Sequence, residues 1–305
     1  MIKYSKFLKK KKFAIFLFHG VIEKNPFKVR NYTKKHLLVS EFEKILNDLK
    51  HKGKCLSMDE AYNVIKKNKQ FEDYSYAITF DDGFYNNFKF AAPILKKKKL
   101  NATFYITTNF IDKNAMSWID TIEHMVEKKN SKVKFDLYGR KLGFDKNVES
   151  KKIFLSNIRK IAKSNKNINF DKLVNLVKKK IKFKKEIKSS NSILDKKMTW
   201  KQVNLIKSES LFLIGGHTKS HPILSFLDNR TCLHEIEESI KIIKAKTGIN
   251  LEHYSYPEGL KHTYGNREIR ILKKNKIKIC PSAEIGLNNS KSNRFHLKRI
   301  FVDRI

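Results

Sequence analysis

Tyr76-Ala77-Ile78-Thr79-Phe80-Asp81-Asp82-Gly83 is an apolar run that stops on two adjacent carboxylates and a glycine. Its β-rich composition reads as a strand, and a strand sends alternate side chains to opposite faces. Such a strand buries part of the run and delivers Asp81 and Asp82 at its C-terminal end, where Gly83 lets the backbone turn. Two neighbouring carboxylates repel unless a cation lies between them or one keeps its proton. The plain alternative is an acidic loop after a core strand, and the rest of the chain weighs against it.

Working outward, Phe13 to Phe18 is an unbroken apolar strand that ends in His19-Gly20. Ala102 to Thr108 is the next strand after the acidic pair. Leu211 to Gly216 is another, followed at once by His217-Thr218-Lys219-Ser220-His221-Pro222. His253 to Gly259 reads as a strand running into a Pro-containing turn, Ile277 to Cys280 as a short strand, and His296 to Val302 as the last. Helical spacing fills the intervals. Phe42, Ile45, Leu46 and Leu49 recur between Ser40, a candidate N-cap, and Gly53. Phe84 to Lys99 is helical with Pro93 inside it, which predicts a kink. Thr231 to Thr247 forms another helix, ended by Gly248. This alternation predicts an α/β fold of parallel strands joined by right-handed crossovers.

From about 111 to 197 the pattern changes. Trp118, Ile122, Met125 and Val126 suggest one helix, and Lys-rich amphipathic stretches surround Ile153–Ile161 and Leu173–Ile181. No strand is expected there, so the segment reads as a helical insertion within one domain spanning 1–305. Trp118 and Asp120 are its residues expected nearest to substrate, with a core position as the plain reading of Trp118.

A chain of 305 residues with 40% hydrophobic content and few Gly and Pro can bury a large core. Its net charge of +36 invites a nucleic-acid or anionic-membrane reading. The lysines, however, are spread along the whole chain beside abundant Ile and Asn, as a genome-wide compositional bias would spread them. Nucleic acid is therefore not an expected partner, while peripheral contact with an anionic membrane stays compatible with the charge. Cys55, Cys232 and Cys280 form no paired spacing, which argues against a disulfide framework and a Cys-based zinc site. The short run after Lys9–Lys12 does not read as a signal peptide, and no stretch approaches a membrane span. The expected location is the cytoplasm, with membrane association allowed.

Four strand ends thus carry polar groups: His19, Asp81/Asp82, His217/His221 and Pro257-Glu258-Gly259. In a closed parallel barrel these ends share one face. A lone His is more often a satisfied core residue than a ligand. Two His at i and i+4 after a Gly-Gly strand end can instead aim at one ion. With one carboxylate of the Asp pair they make a two-His-one-carboxylate set, which leaves coordination positions open.

Thr79-Phe80-Asp81-Asp82-Gly83, His217-Thr218-Lys219-Ser220-His221-Pro222 and Tyr254-Ser255-Tyr256-Pro257-Glu258-Gly259 resemble the successive motifs of the polysaccharide deacetylases, the NodB-homology domain of carbohydrate esterase family four. The resemblance extends to Phe18-His19-Gly20 and Leu297-Lys298-Arg299-Ile300. It implies a deformed (β/α) barrel and a hydrolase that removes N-acetyl groups from amino sugars with a divalent metal, commonly zinc. By position, Asp82, His217 and His221 are implied as metal ligands and Asp81 as the general base. The third motif departs from the family: Ser255 stands where many members have the Arg that holds the base, and Glu258 where they have a Tyr. Arg299 is the candidate substitute for that Arg, with an exposed strand-end charge as its alternative. His19, on the first strand, matches the acid of a permuted branch. Tyr256, Pro257, Glu258 and Trp118 are the expected substrate contacts, with a backbone N–H of the Pro257-Glu258 turn as oxyanion donor. The expected substrate is an N-acetylated sugar on a lipid or nucleotide carrier. Hydrolysis of another amide or cyclic imide, or a silent carbohydrate-binding barrel, is the alternative.

Overall fold

The computed structural model describes residues 3–189 and 192–302. Among the described residues, ten strands and ten α-helices follow one another in chain order. The first strands are β1 (Phe13–Phe18), β2 (Gly20–Ile22) and β3 (His36–Leu38), followed by α1 (Val39–Lys52) and α2 (Met58–Lys66). Then come β4 (Ser75–Phe80), α3 (Ala92–Lys98), β5 (Ala102–Ile106), α4 (Thr108–Lys113) and α5 (Trp118–Lys128). A hairpin of β6 (Val133–Leu137) and β7 (Arg140–Phe144) precedes α6 (Val148–Ser164) and α7 (Phe170–Lys180). The chain ends with α8 (Trp200–Lys207), β8 (Phe212–Gly216), α9 (Asn229–Thr247), α10 (Asn266–Lys274), β9 (Pro281–Ile285) and β10 (Leu297–Phe301).

Six strands form one parallel sheet in the order β8-β5-β4-β1-β10-β9. β1 and β4 lie side by side with all twelve of their residues buried, as expected of central parallel strands covered on both faces. The outer edges of β8 and β9 are not laddered to each other. Instead the segment around His253 joins them by isolated parallel bridges, Gly216 to Tyr254 and His253 to Ile279. The strand expected over His253–Gly259 is thus reduced to bridging residues, and the short strand expected at Ile277–Cys280 begins only at Pro281. Gly216 permits this approach, because a Cβ there would lie 2.5 Å from the Tyr254 ring.

Strand parity decides what faces the site. Ala14, Phe16 and Phe18 of β1, with Tyr76, Ile78 and Phe80 of β4, belong to the main core shared with α1, α3, α8 and α9. Phe13 and Ile15, with Ala77 and Leu297, pack on the other face against Met58 and Ala61 of α2 and against Phe71. That second face continues through Thr79 to Asp81 at the C-terminal end.

The 111–197 segment buries a cluster of its own, built from Ile122, Met125, Leu142, Phe154, Ile158, Leu173 and their neighbours. Its helices are joined by the β6–β7 hairpin, which corrects the expectation of helices alone. Val133-Lys134-Phe135-Asp136-Leu137 alternates apolar and polar residues, and the two-residue turn places Tyr138 at φ 52° and Gly139 at φ 76°. Positive φ at both turn residues matches the twist of a tight hairpin.

Candidate active site

Asp81 follows β4 and keeps the sheet pairing, its N–H donating to Phe18 O at 3.1 Å. Arg299 of β10 lies two strands away with β1 between them, and it is fully buried. Its Nη1 and Nη2 donate to the two Asp81 oxygens at 2.9 and 2.8 Å. Nη2 also donates to Ser255 Oγ at 3.0 Å, and Nε to Ser282 O at 2.5 Å. Burial alone would push the Asp81 carboxyl up, but Arg299 and then His217 hold it below the usual carboxylate range. Ser255 thus receives an Arg that arrives from the last strand.

Asp82 is treated differently. It sits at φ 76°, and Thr218 at 66°, His221 at 64° and Glu258 at 60° share this positive φ at the site. Such strain persists only where surrounding structure enforces it, and it gathers at functional sites. Asp82 Oδ2 lies 3.2 Å from Lys35 Nζ. Its Oδ1 is buried without a hydrogen-bond partner, 3.7 Å from His217 Nε2 and 3.4 Å from His221 Nε2. These contacts are long for hydrogen bonds. They suit three ligands on one ion, since a tetrahedral zinc at about 2.0–2.1 Å from each donor sets the donors about 3.3 Å apart. Among the described residues, Asp82, His217 and His221 are the one such group, with ligand atoms within 4.8 Å of one another.

The imidazoles are prepared for that role by their other contacts. His217 Nδ1 lies 2.8 Å from Ser255 O. A carbonyl only accepts, so Nδ1 carries the proton it donates, and this contact fixes the ring with Nε2 facing Asp82. Burial pushes His221 down to about 4 against the pull of Asp82, so its ring is neutral at neutral pH. The loop between them is tied to α9. Glu235 accepts from the N–H groups of Lys219 and Ser220 at 3.1 and 2.8 Å and from Ser220 Oγ at 2.6 Å. Tyr254 OH accepts from Thr218 N at 2.8 Å. Glu235 does not stand out in the sequence, because a carboxylate on an amphipathic helix has no spacing that marks it, whereas Tyr254 opens the third motif.

A cavity of about 240 Å³ opens over these groups. It brings together His19, Asp81, Asp82, His217, His221, Arg299, Tyr256, Glu258 and Trp118. His19 is half-buried directly after β1. Tyr256 is buried, stacked on Tyr264 at 3.7 Å with its hydroxyl donating to Phe295 O. Glu258 has φ 60° in a three-residue turn closed by Gly259 N to Pro257 O at 2.6 Å. Lys163 of α6 donates to Glu258 Oε2 at 2.5 Å. Burial would raise the Glu258 carboxyl, but Lys163 and His221 bring it down to about 2. Pro257 is buried and is not among the lining residues. Trp118 is nearly buried and stacked on Phe170 at 4.8 Å, with an edge on the cavity.

Asp120 departs from its expectation. It does not line the cavity; its carboxylate accepts from Ser117 Oγ at 2.7 Å and from Lys35 Nζ at 3.2 Å. Lys35, Arg159 and Lys163 do line the cavity, and the sequence offers no sign of them among so many lysines.

Comparison with known proteins follows the same lines. The profile of the family described as polysaccharide deacetylase matches residues 68–134 and 183–279, just over half of the chain. The unmatched stretch between them holds nearly all of the hairpin, α6 and α7. A search of curated proteins finds no significant match. Among solved structures, the Streptococcus pyogenes deacetylase PplD in complex with acetate is 16% identical, with a TM-score of 0.61 over 95% of this chain and 92% of that one. IcaB from Ammonifex degensii is 13% identical, with a TM-score of 0.61 over 97% and 94%. A de-N-acetylase from Aggregatibacter actinomycetemcomitans is 13% identical, with a TM-score of 0.59 over 96% and 95%. At these identities the likeness establishes the fold.

Proposed function

Because this chain belongs to the polysaccharide deacetylase family, and so is a hydrolase, we propose that it removes the acetyl group from an N-acetylated amino sugar. In this reading Asp82, His217 and His221 hold a divalent cation, Asp81 is the general base and His19 the general acid. The observation that carries it is the unequal treatment of two adjacent carboxylates. Asp81 has both oxygens on Arg299, while Asp82 keeps a buried, unbonded oxygen between two imidazoles.

Held by Asp82, His217 and His221, a divalent cation, commonly zinc in this family, would supply Lewis-acid polarisation of the acetyl carbonyl and would lower the pKa of the attacking water towards about 7. Asp81 accepts that water's proton. Arg299 occupies one lone pair on each Asp81 oxygen, each keeps a second, and the guanidinium fixes the plane in which the proton is received. Cleavage breaks the C–N bond and expels an amine, a poor leaving group until protonated. His19 donates that proton, giving acetate and the free amine. A backbone N–H of the strained Glu258 turn is the oxyanion donor.

The net charge of +36 favours an anionic carrier, a lipid- or nucleotide-linked acetamido sugar met in the cytoplasm or at its membrane face. No helix among the described residues is long and apolar enough to cross a membrane. We take residues 1–305 as one domain in which 111–197 is an insertion shaping the acceptor end of the cavity. The test is acetate release from a panel of nucleotide-linked, lipid-linked and free N-acetylated sugars, with and without added zinc. Release that is indifferent to metal would overturn the metal reading, and release only from other amides or imides would overturn the substrate. Zinc analysis checks the ligand set: His217→Ala should lose the one equivalent bound by the unaltered chain, and unchanged stoichiometry removes His217 from it.

A further inference from the structure

Lys35 lies in the loop between β2 and β3, a place no catalytic motif marks. Its ammonium sits 3.2 Å from Asp82 Oδ2 and 3.2 Å from Asp120 Oδ2. Asp120 belongs to the first turn of α5 and is held there by Ser117, whose Oγ both donates to its carboxylate at 2.7 Å and accepts from its N–H at 3.2 Å. The Lys35 loop is fixed in turn. Gly20 N donates to Lys35 O at 3.2 Å, Val29 N and Arg30 N donate to Glu127 of α5 at 2.8 and 2.9 Å, and Arg30 pairs with buried Asp195. A continuous set of buried or largely buried polar contacts therefore runs from the 111–197 segment to Asp82.

Two consequences follow from charge and geometry. Lys35 occupies Oδ2 of Asp82, which turns Oδ1 towards His217 and His221. A bare ammonium beside a ligand carboxylate would also repel a divalent cation, strongly so in a buried site. Asp120, on the far side of the same ammonium, offsets that charge. We propose that Lys35 and Asp120 are positioning residues through which the inserted segment sets the aim of Asp82 and the cation affinity of the Asp82–His217–His221 group. This rests on the reading of those three residues as the metal site.

The test is a competition titration of the zinc-loaded full chain against a chromophoric chelator at fixed pH, with thermal melting of the chelator-treated protein alongside. Asp120→Asn should weaken zinc binding about 10- to 100-fold, the range for partners that orient metal ligands, with melting little changed. Asp120→Glu should restore most of the affinity. In a Lys35→Met background, Asp120→Asn should cost several-fold less than it does alone, since it acts through Lys35. Should Asp120→Asn fail to fold, Ser117→Ala loosens the same carboxylate without removing it and should shift affinity in the same direction. Unaltered zinc affinity in the folded variants overturns this inference and leaves the metal reading intact. Failure of the unaltered chain to hold stoichiometric zinc overturns the metal reading itself.

Discussion

At the scale of single residues, the pairing of Asp81 with Arg299 separates two carboxylates that the sequence presents as equals. Arg299→Met would leave a buried carboxylate without its cation, a change that costs about 3–5 kcal/mol. The sign of its catalytic effect is fixed by what Arg299 does now. Burial pushes Asp81 up and Arg299 holds it down, so without Arg299 Asp81 protonates at higher pH. The acidic limb of the kcat/KM profile should move to higher pH, and a limb that stays in place would mean that Asp81 is not the base. Arg299→Lys keeps the charge but loses the two-pronged contact, so it should recover stability better than turnover. His19→Ala should lower turnover about 100-fold or more and remove the alkaline limb, with bound zinc unchanged. Near-normal turnover would make His19 a packing residue.

At the scale of elements, the site is assembled from pieces whose boundaries follow local chemistry. The expected kink at Pro93 appears as a π-helical turn, Asn87–Ala91, leading into α3, whose first residues tolerate a missing N–H. Ser40 was the expected cap of α1, but the cap is Leu38, two residues earlier, and Glu41 accepts from Leu38 N at 3.0 Å. α6 reaches the site, since its Arg159 and Lys163 line the cavity. Lys163→Met should release Glu258 from its ion pair and alter the cavity wall. We expect kcat/KM to fall about tenfold, equivalent to about 1.4 kcal/mol, mostly through KM. A fall carried entirely by kcat would instead tie Lys163 to the chemical step.

At the scale of the whole molecule, buried His36 and partly buried His221 couple folding to pH. Burial holds His36 well below the ordinary range and His221 at about 4. In the unfolded chain both titrate near 6.5. Between about 6.5 and 4 the unfolded chain therefore binds protons that the folded chain does not, and stability falls as pH falls. Each such group contributes up to about 1.4 kcal/mol per pH unit. Melting of the metal-stripped protein should drop from pH 7 to 5, and His36→Gln should make the decline shallower. A flat profile over that interval would show that these rings take up protons without cost.

The acidic strand end, the two-histidine loop and the alternation of strands and helices were all legible in the sequence. Each is a local pattern, an apolar run closed by Asp81 and Asp82 or two His four residues apart, and local patterns survive without knowledge of the fold. Arg299 was within reach because the last strand carries it. The β6–β7 hairpin was readable from its alternation and its Tyr138-Gly139 turn, yet it lay hidden among lysines. Which oxygen of Asp82 faces the imidazoles, that Lys35, Arg159 and Lys163 line the cavity, and that Asp120 stands behind Lys35, was decided only by tertiary structure. In a chain with 66 Lys and Arg residues, no local pattern distinguishes the few that lie beside the site from those in solvent. Only burial and the position of a carboxylate brought in from a distant part of the chain do that.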